Sequence, residues 1–258
     1  MAIPKAKQPP EKKVKLVIFP GEATATMTTQ DYDGNAVRRT VALGSIYVVN
    51  GLGEAYSMAG GPPPGSGYQD VGGHTAEPTP AGQYVLDRAE QLVTSSWPKS
   101  VIPWGAKLRE TDTEIVEIQY QVGTQWRTAT GPHGTVSRAL HQFWLRSGKH
   151  RTFDAADGTA RSWFYESNGK LFPAWYLNDF GPTGWCLKKY GQRTAYFIHT
   201  TPKNEWSEAL HKPVILLDSH GCIHIRPSDR NDMVAKGYLR EGVEAEVRKY
   251  GEAGPPKG

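Results

Sequence analysis

Apolar residues in this chain come in short β-branched runs cut by Gly and Pro, and only two stretches space them as a helix would. The segments "VKLVIF" (14–19), "GQYVLD" (82–87), "EIVEIQYQV" (114–122) and "TAYFIHT" (194–200) each read as a strand, and "AVRRTVALGSIYVVNG" (36–51) as one or two. The helical exceptions are "TVSRALHQFWLR" (135–146), which groups Ala139, Leu140, Phe143 and Trp144, and "DRNDMVAKGYLR" (229–240). In the second, Asp229 and Asp232 suit the positive end of a helix dipole. Gly and Pro in "AGGPPPGSG" (59–67) defeat both helix and ladder, so that stretch is a loop. The pattern predicts a mainly β domain with few, short helices, and no internal repeat divides it.

At 258 residues the chain can bury a sizeable core. Residues 1–12, rich in Pro and Lys, read as a flexible arm and residues 251–258 ("GEAGPPKG") as a fraying tail, which leaves 13–250 as the folded body. Five tryptophans, Trp126, Trp144, Trp163, Trp175 and Trp185, fall in the region 123–190; they pack an inserted subdomain or line a groove for sugar or peptide. The net charge of +4 suits an anionic partner such as a cell-wall polymer, but it is too small and scattered to argue for nucleic acid. The only apolar run near the start, "LVIF", is too short for a signal-peptide core or a membrane span, so the chain reads as carrying neither.

The chemistry concentrates in "LLDSHGCIHIRP" (216–227). A cysteine attacks acyl carbon only as thiolate, so a catalytic Cys222 needs a neighbouring base, and imidazole is the usual choice. His220 precedes it by two positions, which on a strand puts both side chains on one face. His199 ends an apolar strand that can pair beside the cysteine. Gly221 allows a tight turn that aims the Gly221 and Cys222 amides at a developing oxyanion. Two other readings stay open. His-x-Cys-x-His can ligate zinc, although three alternating strand positions spread over about 13 Å and would need a sharp bend. An unpaired cysteine is also often inert core. The other cysteine, Cys186, flanked by Trp and Leu, reads as a buried thiol rather than a bridge partner.

"SHGCIHI" with the upstream "FIHTT" resembles the L,D-transpeptidase catalytic domain family (YkuD type). "EPTPAGQYVL" (77–86) and "SVIPWGAKL" (100–108) are similar to two further segments of that family, in the family's order. The resemblance implies a mixed β-sandwich or barrel-like fold with short capping helices and a long insertion, here within 87–194, as lid, groove or partner surface. It implies Cys222 as nucleophile, His199 as the histidine that orients or deprotonates it, and His220 as the second motif histidine. Ser219 and Gly221 would support the turn and oxyanion, and Thr200, His224 and Arg226 would contact substrate. Two departures stand out. The 19 residues 200–218 make a longer gap than is usual, so "TPKNEWSEALHK" reads as an extra loop over the site. His224 occupies a position where Arg or Asn is expected, with Arg226 as a candidate to take over its polar work.

The implied activity is acyl transfer on peptidoglycan stem peptides, breaking the bond between the diamino acid at position three and D-Ala at position four and forming 3-3 crosslinks. The peptide bond broken supplies the energy, so no nucleotide, metal or organic cofactor is needed, and carbapenems should acylate Cys222. Two alternatives remain. One shares the site but acts as an L,D-carboxypeptidase or exchanges D-amino acids, as an antibacterial secreted effector. The other is a non-catalytic wall-binding module. All place the site of action in the periplasm or cell wall, reached as a processed form or by another export route.

Overall fold

The computed structural model describes residues 13–30, 36–66, 76–94, 97–112, 117–131, 134–135, 163–164, 166, 170–217 and 219–255. The expected arm 1–12 and nearly all of the expected helix 135–146 lie outside the described residues.

The first two strands are the longest. β1 (Lys15–Gln30) and β2 (Ala36–Val49) pair antiparallel along their whole length, with one register shift between Phe19 and Ala23. Pro20 and Gly21 fall in that shift, where a residue lacking an N–H breaks the ladder least. Gly44 faces the same bulge: a Cβ there would lie 1.7 Å from the Phe19 carbonyl oxygen, so only glycine lets the two backbones approach. "AVRRTVALGSIYVVNG" is therefore one strand, not two.

Six more strands complete a closed barrel: β3 (Ala55–Ala59), β4 (Gly82–Glu90), β10 (Gly184–Lys189), β11 (Gln192–His199), β12 (Ile223–Ile225) and β13 (Glu244–Val247). The order around it is β1-β13-β4-β10-β11-β12-β3-β2. Pairing is antiparallel except at β1 with β13 and at β11 with β12. The fold is mainly β, as expected, and of the two expected forms it is the barrel. Leu16, Ile18, Ile46, Leu86, Trp185, Ile198, Ile223 and Ile225 fill it, and along β4 the buried Tyr84 and Leu86 alternate with more exposed positions. Each such side chain contributes about 1.5–3 kcal/mol by leaving water.

Two helices serve this barrel. α1 (Pro202–Ala209) starts at Thr201, whose Oγ1 accepts from the Asn204 amide, with Pro202 in the first turn. The stretch expected to be an extra loop is thus a capped helix, because Thr201 caps its N-terminus and Pro202 fits its first turn. α2 (Pro227–Ala235) buries Met233 in the barrel core and accepts a hydrogen bond from Tyr56 Oη to Asp232 Oδ2 at 2.6 Å. It stops before Gly237, short of the expected residue 240.

Between β4 and its barrel neighbour β10 lies the insertion, and since Glu90 and Gly184 still belong to the ladder it spans 91–183, inside the range 87–194. It carries its own three-stranded sheet of β5 (Leu108–Glu110), β6 (Ile118–Val122) and β7 (Gln125–Thr128), and the short pair β8 (Thr130–Gly131) and β9 (Gly134–Thr135). Its separate core includes Ile102, Ile118, Phe164 and Trp175. Trp175 stacks on Phe164 with ring centroids 4.7 Å apart, whereas Trp185 belongs to the barrel. The C-terminal tail is engaged as far as it is described: the Gly254 amide donates to Glu22 Oε1 at 2.7 Å, and Tyr47 Oη donates to the Pro255 carbonyl.

Candidate active site

The parallel pairing of β11 with β12 sets Ile198 beside Ile223 and His199 beside His224. Cys222 immediately precedes β12, so the ladder delivers the strand-end histidine next to the cysteine segment. Residues 219–222 are not strand, contrary to the expectation that His220 and Cys222 alternate on one. They form a turn in which Gly221 has φ +100°, and a Cβ there would come 2.6 Å from the Tyr196 ring. Ser219 closes the turn: its Oγ donates to the Cys222 carbonyl at 2.5 Å and accepts from the Gly221 amide at 3.1 Å. The Gly221 amide is thereby engaged inside the turn.

Behind the turn, the Ser219 amide donates to the Gly60 carbonyl at 3.0 Å. Gly61 in turn donates to Thr79 Oγ1 at 3.0 Å, and Tyr250 Oη donates to the Gly61 carbonyl at 3.0 Å while accepting from the Thr79 amide at 2.9 Å. Tyr84 Oη donates to the Pro80 carbonyl at 2.9 Å. The "TPAGQY" segment therefore acts by bracing the loop against which the cysteine turn rests.

Cys222 is 9% exposed and packs with Phe180, Phe197 and Cys186. Burial pushes its thiol up to about 12, a rise that hydrogen bonding to the Phe197 backbone only partly opposes. The sulfur lies 3.8 Å from the Ala195 carbonyl oxygen. Cys186 is a free, buried thiol directed at the Thr194 carbonyl at 3.4 Å.

His199 is fully enclosed and its Nδ1 lies 2.7 Å from the Thr200 carbonyl. A carbonyl only accepts, so Nδ1 carries the proton and Nε2 keeps a lone pair. Burial, and then the neighbouring His224, hold the ring well below the ordinary histidine range, so it is neutral at pH 7. His224 repeats the arrangement, donating from Nδ1 to the Leu217 carbonyl at 2.9 Å, and burial lowers it to about 4. The two rings meet edge to face, 4.7 Å between centroids. His220 is less enclosed and sets its ring 4.8 Å from that of Trp97.

These groups line one cavity of about 400 Å³, shared by Cys222, His199, His220, His224 and Ser219. The other expected contacts do not join it. Thr200 is fully buried: its hydroxyl donates to Glu205 and accepts from Arg230 at 3.3 Å, so it orients His199 through its carbonyl instead of meeting substrate. Arg226 is exposed at the start of α2 and borders a different cavity with Glu22, Met58 and Leu216. Among the described residues, no group of three His, Cys, Asp or Glu side chains is placed to hold a metal ion.

Ala195 of β11 and the helix start Thr201–Pro202 also line it, and the rest of the lining comes from the insertion: Trp97, Lys99, Trp163, Asp179 and Phe180. None was singled out for the site from sequence beyond Trp163's general aromatic reading. They belong to segments scattered from 97 to 180, and no local spacing links them to the cysteine.

A buried thiol and a tautomer-fixed imidazole in one cavity, with a backbone amide beside the sulfur, make a site suited to acyl transfer. No curated protein and no solved structure matches the chain. Residues 22–238 match the L,D-transpeptidase catalytic domain, YkuD, and cover every strand of the barrel except β13 and the start of β1, so the chain belongs to that family of enzymes, which act on peptidoglycan.

Proposed function

We propose that this chain is a peptidoglycan L,D-transpeptidase in which Cys222 attacks the carbonyl between the diamino acid at position three and D-Ala at position four of a tetrapeptide stem. The observation that carries the reading is the shared cavity of Cys222 and His199, with the His199 Nδ1 proton held by the Thr200 carbonyl. That bond leaves Nε2 as the only nitrogen of the ring able to take the thiol proton.

At rest both partners are neutral, because burial raises the thiol to about 12 and depresses the imidazole. Proton transfer therefore accompanies attack rather than preceding it. The sulfur adds to the carbonyl carbon, its proton passes to His199, and the Cys222 amide receives the oxyanion. Collapse of the adduct breaks the C–N bond, and the imidazolium returns its proton to the departing D-Ala amine. The thioester then meets the amine of a second stem, His199 removes that amine's proton, and the new amide forms as the thiol is restored. His224, packed edge-on against His199, orients the base. The site of action on this reading is the cell wall.

Mass spectrometry of disaccharide-tetrapeptide incubated with the protein, with Cys222→Ala as control, tests the proposal. Cysteine-dependent loss of D-Ala together with 3-3 dimers is expected. Loss of D-Ala without dimers would make it an L,D-carboxypeptidase, and unchanged stems would make it a wall-binding module.

A further inference from the structure

α1 begins close behind His199, yet of its own residues only Asn204 is buried. Its position is set by α2. Glu208 Oε2 accepts from the Ser228 amide at 3.0 Å, and Glu205 pairs with Arg230, the two side chains being 15% and 12% exposed. α2 is itself fixed to the barrel, by Met233 in the core and by the bond from Tyr56 to Asp232. Both acids of α1 are therefore turned onto a helix that the barrel holds in place.

Arg230 is oriented in turn by its neighbour. Its Nε and Nη2 donate to Asn231 Oδ1 at 3.1 and 2.9 Å, which aims Nη1 at Glu205 Oε1 and, at 3.3 Å, at Thr200 Oγ1. The Thr200 hydroxyl donates to the same Glu205 oxygen. Hydroxyl, carboxylate and guanidinium close a triangle drawn from the end of β11, from α1 and from α2. Thr200 cannot turn without breaking one of its sides, and the Thr200 carbonyl is the acceptor that keeps the proton on His199 Nδ1. Tilting that carbonyl away would admit the other tautomer, which puts a proton on the nitrogen that has to receive one. An ion pair this enclosed adds little net stability over apolar residues of the same size, so stability alone does not account for it. Charge-assisted bonds do supply a fixed direction.

We propose that Glu205, held by Arg230, is a positioning residue for the base: through the Thr200 hydroxyl it fixes the Thr200 carbonyl, and with it the tautomer of His199. The inference rests on the reading of His199 as the base for Cys222. It also gives a role to the long gap between His199 and Ser219, since α1, which lies in that gap, is what brings a carboxylate to Thr200.

Two measurements on the full chain test it, and only one needs substrate. NMR of the histidine ring nitrogens reads the tautomer directly, with His199→Gln assigning the signal. His199 is expected in a single Nδ1–H form. Thr200→Val removes the hydroxyl but keeps the side-chain shape, the carbonyl and the ion pair, and it should leave the two tautomers mixed. Release of D-Ala from disaccharide-tetrapeptide should then show kcat down about tenfold with KM changed by under about twofold, because a loosened base acts on turnover. Thr200→Ser, which restores the hydroxyl, should recover most of both effects. Glu205→Met combined with Arg230→Met leaves no charge unpaired; it should reproduce the Thr200→Val effects, and adding Thr200→Val to it should change little more.

A single Nδ1–H form in Thr200→Val, or a kcat within about twofold of the unaltered protein, overturns the proposal. That comparison decides the matter even if the methionine pair folds poorly. Equal losses in Thr200→Val and Thr200→Ser overturn it as well, because packing and not the hydroxyl would then be at work. If the unaltered protein releases no D-Ala, the acyl-transfer reading fails while the tautomer comparison still decides the clamp.

Discussion

The two walls of the Cys222 cavity are built on different physics. The barrel wall, from His199 to His224, is held by strand pairing and by one turn whose shape Gly221 and Ser219 dictate. The insertion wall, with Trp97, Lys99, Trp163 and Asp179, is held by side chains reaching backbone groups across loops, Asn178 chief among them. Ladder geometry tolerates little variation around the reacting groups, whereas a loop wall can change its residues without disturbing them. On the proposed function, chemistry falls to the first wall and choice of substrate to the second.

Replacing Cys222 with Ala tests that division most severely. Stem cleavage followed by mass spectrometry should fall by about 10⁴-fold, with the melting temperature little changed; a loss under tenfold would move the chemistry off the barrel wall. Acid should damage the same wall next. The unfolded chain protonates His224 near 6.5 but the folded chain only near 4. Stability is therefore unaffected by this group above pH 6.5 and falls by about 3 kcal/mol as pH drops from 6.5 to 4. Urea melts across that range should show the loss, and His224→Asn should flatten part of it.

Gly221→Ala should cost about 2–3 kcal/mol, from a positive φ and the collision with Tyr196. Trimming the ring with Tyr196→Ala should return only the collision's share in a double-mutant cycle, and full additivity would refute the contact. Asn178→Ala should cost about 2 kcal/mol by leaving two carbonyls and an amide without their partner. Steady-state kinetics should then show KM rising more than kcat falls, and the reverse would merge the two walls into one functional unit. Trp206, 64% exposed on α1, belongs to neither wall, and Trp206→Ala should change stability by under about 0.5 kcal/mol in the same urea melts.

The same division explains what could be read from sequence. β1, β4 and β11 announce themselves through β-branched alternation, and the Ser-His-Gly-Cys run with an upstream histidine marks the barrel wall, because those residues lie close along the chain. β3, β12 and β13 are short, and only their tertiary partners make them strands. Thr201, Pro202 and Glu205 were a legible helix start that the expected loop obscured. Arg226 looked like a substrate contact from its position two residues past His224, but the helix that starts beside it turns it to another face. Lys99 and Asp179 had no signal at all, since only the folded insertion brings them together.

The seam between β1 and β13 sets an order on how this enzyme comes into being. Lys15 pairs with Glu244, and its ammonium also meets Glu246, 231 residues away along the chain. β13 sits between β1 and β4, so until it docks both neighbours present raw edges and the ring stays open. His199 and Cys222 precede β13 by 45 and 22 residues, so both are in the chain before the ring can close. Activity should thus arise late and abruptly, with closure of the ring by contacts of very high sequence separation as the slow event.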